Sequence, residues 1–298
     1  TSVYQIAIGK WDEIRIKAQQ ARELCEQLGD YRQWGDALSV LAESAFLSGH
    51  IAEGLGVQKT LLEDARRRNS PLQIVWGLDG VAWNNIRLEN EATAIPMLEE
   101  ALQILEEIPN QAASINTHAQ LALAHLRLGD EEKALQYADD VLKLAEGVSP
   151  TVYALLIGFS AVAQVYFTLW EKMLRAPLSL ARKRDLEALQ SSALKALALL
   201  SAYERIFPIG FPYLAYYRGW QNSLNGDVKQ ALKFWRKGLE IAQKFNLLYE
   251  EGLLRLKLVE AGENRNAHIE SAIRIFETMG ATRELRSAKT LWGEGSPK

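Results

Sequence analysis

The chain is poor in the residues that build cross-links and metal clusters. It has one cysteine, Cys25, and four histidines in 298 residues. That excludes an internal disulfide and any CxxC-type metal site, and it suits a reducing, cytoplasmic setting. An excess of basic charge is also missing: 34 Lys and Arg stand against 37 Asp and Glu, a formal net charge of -3. Tracking phosphates requires the opposite balance, so nucleic acid is not an expected partner. Thr1 to Lys10 lack the basic start and apolar run of a targeting segment. Long uncharged runs are scarce, and the one candidate for a membrane span is Thr151 to Trp170. Its internal Ser160, Gln164 and Thr168, with acidic Glu146 and Glu171 on either side, fit a buried central helix better than a span. No membrane partner is expected.

At 298 residues the chain is long for a single core, which leaves two domains or one elongated array that buries its apolar surface unit by unit. Internal spacing decides between them. Gly9-Lys10-Trp11, Gly49-His50-Ile51, Glu89-Asn90-Glu91 and Gly129-Asp130-Glu131 begin 40 residues apart three times running. The same turn returns at Gly226-Asp227-Val228, 97 residues beyond Gly129, or two periods and 17 residues more. The surplus is expected between Leu174 and Asp185, where Pro177 breaks a helix and a basic cluster seeks solvent. Within a period the apolar residues recur at helical steps, as in Ala94, Met97, Leu98, Ala101, Leu102 and Leu105. No run alternates in the manner of a strand. The fold class is therefore all-α, read as one repeat domain over 1–298 with units 1–30, 31–69, 70–110, 111–149, 150–209 (holding the insertion near 174–185), 210–246 and 247–298. Thr1 is not an initiator and Thr1 to Ile8 covers only the end of a first helix, so a fragment of a longer protein is expected.

The residues around each turn carry a family resemblance. Gly226, Ala231, Trp235 and Gly238, preceded by Gly219, resemble the tetratricopeptide pattern of small, aromatic and small positions. Gly129, Ala134, Ala138 and Val141, with Ala122 before them, are similar without the aromatic, and Gly9, Ile14, Ala18 and Ala21 match with a larger first residue. The resemblance implies a right-handed superhelical array of antiparallel helix pairs, a TPR-like α-solenoid. The 40-residue period exceeds the family's usual length, which makes each helix nearly a turn longer. In that respect the chain resembles the sensor regions of bacterial signal-transduction ATPases, including the maltose-regulon activator, and the kinesin light-chain repeats. Ile275 to Arg286 resembles the closing segment of ATPase-linked or cyclase-linked arrays.

Catalytic chemistry has no complete motif to stand on. Ser192-Ala-Leu-Lys195 lacks the partner motifs of a serine acyl-transfer enzyme. Asp139-Asp140 lacks the third aspartate of an isoprenoid-enzyme motif, and Gly9-Lys10 lacks the rest of a phosphate loop. His118 and His125 share a helix face without further ligand spacing. The reading is not an enzyme, with no cofactor and no metal.

Binding is expected on the concave face, which the first helix of each pair lines in arrays of this kind. On the helix between Leu72 and Leu88 the stripe Leu78, Ala82, Asn85 carries the small packing residue, which leaves Trp76, Asp79, Trp83, Ile86 and Arg87 for the groove. Equivalent places elsewhere are Asp36, Ser39, Glu43, Phe46 and Leu47; Asn116, Ala119, Leu123, Leu126 and Arg127; and Tyr213, Tyr216, Trp220, Ser223 and Leu224. Amphipathic aromatics such as Trp76, Trp83, Tyr213, Tyr216 and Trp220 dominate binding hot spots. Arg87 and Arg127, at the same place in consecutive repeats, suit a carboxylate or phosphate. The Lys and Asn clamp of heat-shock co-chaperones is absent, because Asp79, Trp83, Ala119 and Leu123 stand at its places. The expected partner is a protein or peptide in an open groove of mixed polarity. The alternative is a small molecule in one deep aromatic pocket with converging polar groups, controlling an attached ATPase, cyclase or DNA-binding domain.

Overall fold

Five of the turns between paired helices use the same backbone device. Gly9, Gly49, Gly129 and Gly226 have φ of +66°, +90°, +86° and +84°, and Glu89, standing where these repeats have glycine, adopts φ +62°. In each turn the next residue's N–H reaches back to a carbonyl five residues earlier, as His50 does to Ala45 at 2.8 Å and Asn90 to Asn85 at 2.8 Å. The aspartates after two of these glycines then cap the following helix. Asp130 accepts from the Lys133 N–H and Asp227 from the Gln230 N–H.

The computed structural model describes residues 2–175 and 180–293. They form fifteen α-helices and one short 3-10 turn, with no strand among the described residues. The helices are α1 (Ser2–Ala7), α2 (Trp11–Leu28), α3 (Tyr31–Leu47), α4 (Ile51–Arg67), α5 (Pro71–Arg87), α6 (Glu91–Glu107), α7 (Gln111–Leu128) and α8 (Glu131–Leu144). There follow α9 (Leu155–Leu174), α10 (Leu180–Glu204), α11 (Phe211–Leu224), α12 (Val228–Lys244), α13 (Leu248–Glu260), α14 (Arg265–Met279) and α15 (Thr282–Gly293). Consecutive helices pack against one another throughout, giving an all-α superhelical array of antiparallel pairs. The first helices also touch each other in succession, α3 on α5, α5 on α7, α7 on α9, α9 on α11 and α11 on α13. Second helices do so closely only at α8 and α10. The first helices therefore lie on the inner, shorter radius.

Helix α9 is the expected buried helix: Phe159, Tyr166, Phe167 and Trp170 are each 2% exposed or less. No described helix is long and apolar enough to cross a membrane. The irregular break is shorter than the sequence suggests, since α10 already begins at Leu180. Pro177 lies outside the described residues. The surplus residues instead lengthen the pair, with 20 residues in α9 and 25 in α10 against 17 in α3 to α6.

The tetratricopeptide-like positions are packing positions. Trp235 lies so flat against Gly219 that a Cβ there would sit 2.1 Å from its indole nitrogen, which donates to the Tyr216 carbonyl at 3.0 Å. Ala122, Ala134, Ala138 and Val141 are fully buried. Ala21 departs from the pattern and is exposed. Its helix packs on α1, whose six residues are too few to cover the far half of α2.

The array also closes on itself. Trp11 Nε1 donates to the Phe245 carbonyl at 2.7 Å across 234 residues, and a Cβ on Gly9 would lie 2.8 Å from the same oxygen. Further along this seam Gly49 lies against Leu248 and Met279. Thr282 and Arg286 bond to Glu89, and Arg283 to Glu91. The turns of the first three pairs thus meet the last repeats, and the concave face becomes an interior.

Candidate functional site

Two cavities lie inside the closed array, separated by Phe46, Trp83 and Ile157, which line both. The larger, of about 520 Å³, is walled by α3, α5 and α7 with the segment before α9. It gathers Asp36, Ser39, Glu43 and Phe46 from α3, Trp76, Asp79, Trp83 and Asn84 from α5, and Asn116 and Gln120 from α7. The side chain of Gln58 enters from α4 and that of Tyr153 from the segment before α9. Exposed Asp36 and Val152 mark its mouth. These residues converge because the places one helical turn apart on each first helix all face the shorter radius.

The electrostatics of this cavity are unusual for three carboxyl groups in one space. Burial pushes Glu43 up to about 8 and Asp79 up to about 8, and it also raises Asp36. Glu43 lies deep in the fold while keeping some surface toward the cavity. Thr117 Oγ1 sits 2.9 Å from Asp79 Oδ1 and 2.9 Å from the Ala113 carbonyl. A hydroxyl has one hydrogen, so a protonated Asp79 can donate to Thr117 while Thr117 donates to Ala113. That chain of donors fits the neutral acid.

Several buried polar atoms around the cavity have no hydrogen-bond partner among the described residues. They include Ser39 Oγ, Gln58 Oε1, Trp83 Nε1, Asn84 Oδ1, Asn116 Oδ1 and Gln120 Oε1. The amide orientation of two is fixed by their other ends: Asn84 Nδ2 donates to the Gly80 carbonyl at 2.8 Å and Asn116 Nδ2 to the Ala154 carbonyl at 3.2 Å. Unmade hydrogen bonds at this depth cost about 1–3 kcal/mol each, and their concentration around one cavity is what a bound molecule would offset.

The smaller cavity, about 60 Å³, is a packed polar cluster. The Arg87 guanidinium lies 3.2 Å from the centre of the Tyr249 ring and is attracted by Glu250 and Glu284. Arg127 donates to the Ile86 carbonyl at 2.6 Å and pairs with Glu91 at 3.7 Å and Glu284 at 3.6 Å. Burial lowers Arg127 to about 10, and burial raises Glu250 to about 7 against the pull of Arg87. Tyr213 shares a hydrogen bond with Glu250.

The structure thus divides the expected site residues. Trp76, Asp79 and Trp83 line the large cavity, and Trp83, Arg87, Arg127, Tyr213 and Tyr216 line the small one. Trp220 lines neither: it donates to Glu171 Oε2 at 3.1 Å and carries Lys257 over its ring at 4.5 Å. The two arginines serve the chain's own carboxylates. Trp83 is 8% exposed rather than open to solvent, because seam closure covers the face on which it stands. Sequence reasoning missed Gln58, Asn84, Gln120 and Tyr153. A signal for two of them existed, since Asn84 and Gln120 are amides set among the apolar residues of α5 and α7.

A family profile described as Tetratricopeptide repeat matches residues 84–147, from the end of α5 through α8. Repeats of this kind generally mediate protein–protein interaction, and the fold is typically non-catalytic. A solved structure, the crystal structure of BtubC (BKLC) from P. vanneervenii, is similar over 83% of this chain and 94% of that chain. Its sequence identity is 15% and its TM-score 0.47. No curated protein sequence matches the chain.

Proposed function

We propose that this chain is a non-catalytic, regulatory binding domain whose recognition site is the large interior cavity, and that the occupant is compact. The observation that carries this reading is a cavity of about 520 Å³ ringed by aromatic side chains and buried polar atoms without partners. Its size falls within the range of small-molecule sites. An extended peptide lying along an open concave groove fits less well, since the seam from Trp11 to Phe245 closes that face. In this reading the domain is a cytoplasmic sensor, and occupancy of the cavity bears on an attached or associated protein, as the long repeat period suggests.

The general habit of tetratricopeptide repeats supports a second reading, in which the site receives a short peptide. Thermal melting across a panel of small polar compounds and of peptides separates the two. At least one small-compound class should raise the melting temperature of the wild type and leave Trp76→Ala unmoved. Stabilisation by peptides alone, indifferent to Trp76, would remove the cavity from the function.

A further inference from the structure

The lining of the large cavity is one-sided in its chemistry. Three carboxyl groups face it, from Asp36, Glu43 and Asp79, and none of its lining residues is Lys, Arg or His. The amides add acceptors. Gln58, Asn84 and Gln120 are 9%, 2% and 2% exposed, and each has a carbonyl oxygen without a partner among the described residues. In Asn84, as in Asn116, the NH₂ group is already committed to a backbone carbonyl. Against these acceptors stand few donors: the unpartnered Trp83 indole and Ser39 hydroxyl, and the proton that burial keeps on Glu43.

A molecule that satisfies such a wall must donate more hydrogen bonds than it accepts, and one that carries positive charge favours the ionised, accepting form of the carboxyl groups beside it. Hydroxyl compounds accept as often as they donate, and they cannot hold the carboxyl groups in their ionised form as a neighbouring cation does. Ammonium and guanidinium groups only donate. Trp76, Trp83, Phe46 and Tyr153 supply the other half of such a site, an aromatic surface that attracts a cation and covers the carbon chain between charges. From this arrangement we infer that the cavity is a site for a small organic cation, a diamine, polyamine or guanidinium compound. The inference rests on the cavity being the recognition site.

Isothermal titration of the whole chain at neutral pH and 150 mM salt tests it, with spermidine, agmatine, a neutral trisaccharide, a dicarboxylate and a lysine-rich peptide as probes. Spermidine or agmatine should bind saturably with one molecule per chain. Glu43→Gln and Asp79→Asn should each weaken that binding about tenfold or more, while Asp140→Asn, which pairs with Lys143 away from the cavity, leaves it unchanged. The unliganded melting temperatures of the two cavity variants should equal or exceed the wild type at neutral pH, because an amide spares the fold the cost of holding a buried carboxyl group protonated, and this shows that loss of binding is not loss of fold. Absence of saturable amine binding, amine binding equal in all variants, or binding of the peptide without either free amine overturns the proposal. Trp76-dependent binding of the trisaccharide or the dicarboxylate in place of the amines also overturns the cation, yet leaves the cavity as the recognition site.

Discussion

Glu89 and Arg286 stand 197 residues apart in the chain and are joined by a hydrogen bond of 2.8 Å. Glu89 makes this contact from a left-handed backbone, in the place where other repeats have glycine. It also accepts from Thr282 at 2.7 Å, and its carboxyl group is held down at about 2, first by Arg286. A residue that suits the turn poorly thus occupies it and holds the last helix to the third repeat.

Replacement of Glu89 separates these two roles. Glu89→Ala should lose the ion pairs and keep the backbone strain, costing about 1–2 kcal/mol because Arg286 is largely exposed. Glu89→Gly loses the same pairs but relieves the strain, so it should be more stable than Glu89→Ala by about 1 kcal/mol. Urea denaturation of both variants gives the comparison, and equal midpoints would contradict the role assigned to the backbone.

Arg127 should tolerate change badly. Its removal leaves Glu91 and Glu284, 4% and 7% exposed, without the buried cation between them. Arg127→Ala is expected to cost about 3–5 kcal/mol. Adding Glu284→Gln should return part of the loss, and a double-mutant cycle in denaturant reads the coupling.

Trp235 and Trp76 should differ sharply. Trp235 is 2% exposed and fitted to Gly219, so Trp235→Ala is expected to cost about 3–5 kcal/mol and Gly219→Ala about 1–3 kcal/mol. Trp76 lines the cavity and is only partly buried. Trp76→Ala should cost less than about 2 kcal/mol. Calorimetric melting of the three variants orders them.

The empty protein should lose stability as pH rises from 5 to 8. Glu43 and Asp79 are raised to about 8 by burial, so between about 4, where such groups titrate when unfolded, and 8 the folded state holds more protons. Their contribution is complete below that window and gone above it. Asp36, Tyr153 and Tyr203 are the titratable groups that sense or face Glu43, and Thr117 faces Asp79. Glu89 works oppositely, its contribution present above its ordinary range and lost as pH falls toward 2. Denaturation midpoints measured from pH 4 to 9 should fall less steeply above pH 5 in a Glu43→Gln, Asp79→Asn double variant, the remaining slope coming from Glu250 and Asp36.

The helix pairs were legible because the signal repeats: Gly9, Gly49 and Gly129 recur at one spacing, and steric demand ties each to a left-handed turn. The inner stripes could be read for the same reason, as Asp36, Trp76 and Asn116 occupy equivalent places and face one cavity. Closure was hidden. It depends on how small rotations between pairs accumulate, and nothing local to Glu89 or Arg286 reveals that their helices meet. Without closure, Arg87 and Arg127 read as free cations, when Glu250, Glu284 and Glu91 already neutralise them. Gln58 was missed because it reaches the interior from a second helix across Gly80, a close approach that helical periodicity does not record.

An open chain of repeats can fray from either end, each unit leaning only on its neighbours. The bond from Trp11 to Phe245 changes that arithmetic, because loosening the first pair also uncovers the sixth. Unfolding should therefore be closer to all-or-none than in a linear array of the same length. A contact across some 230 residues adds loop-closure entropy to the folding barrier, so folding should also be slower than in an open array built only of neighbouring contacts.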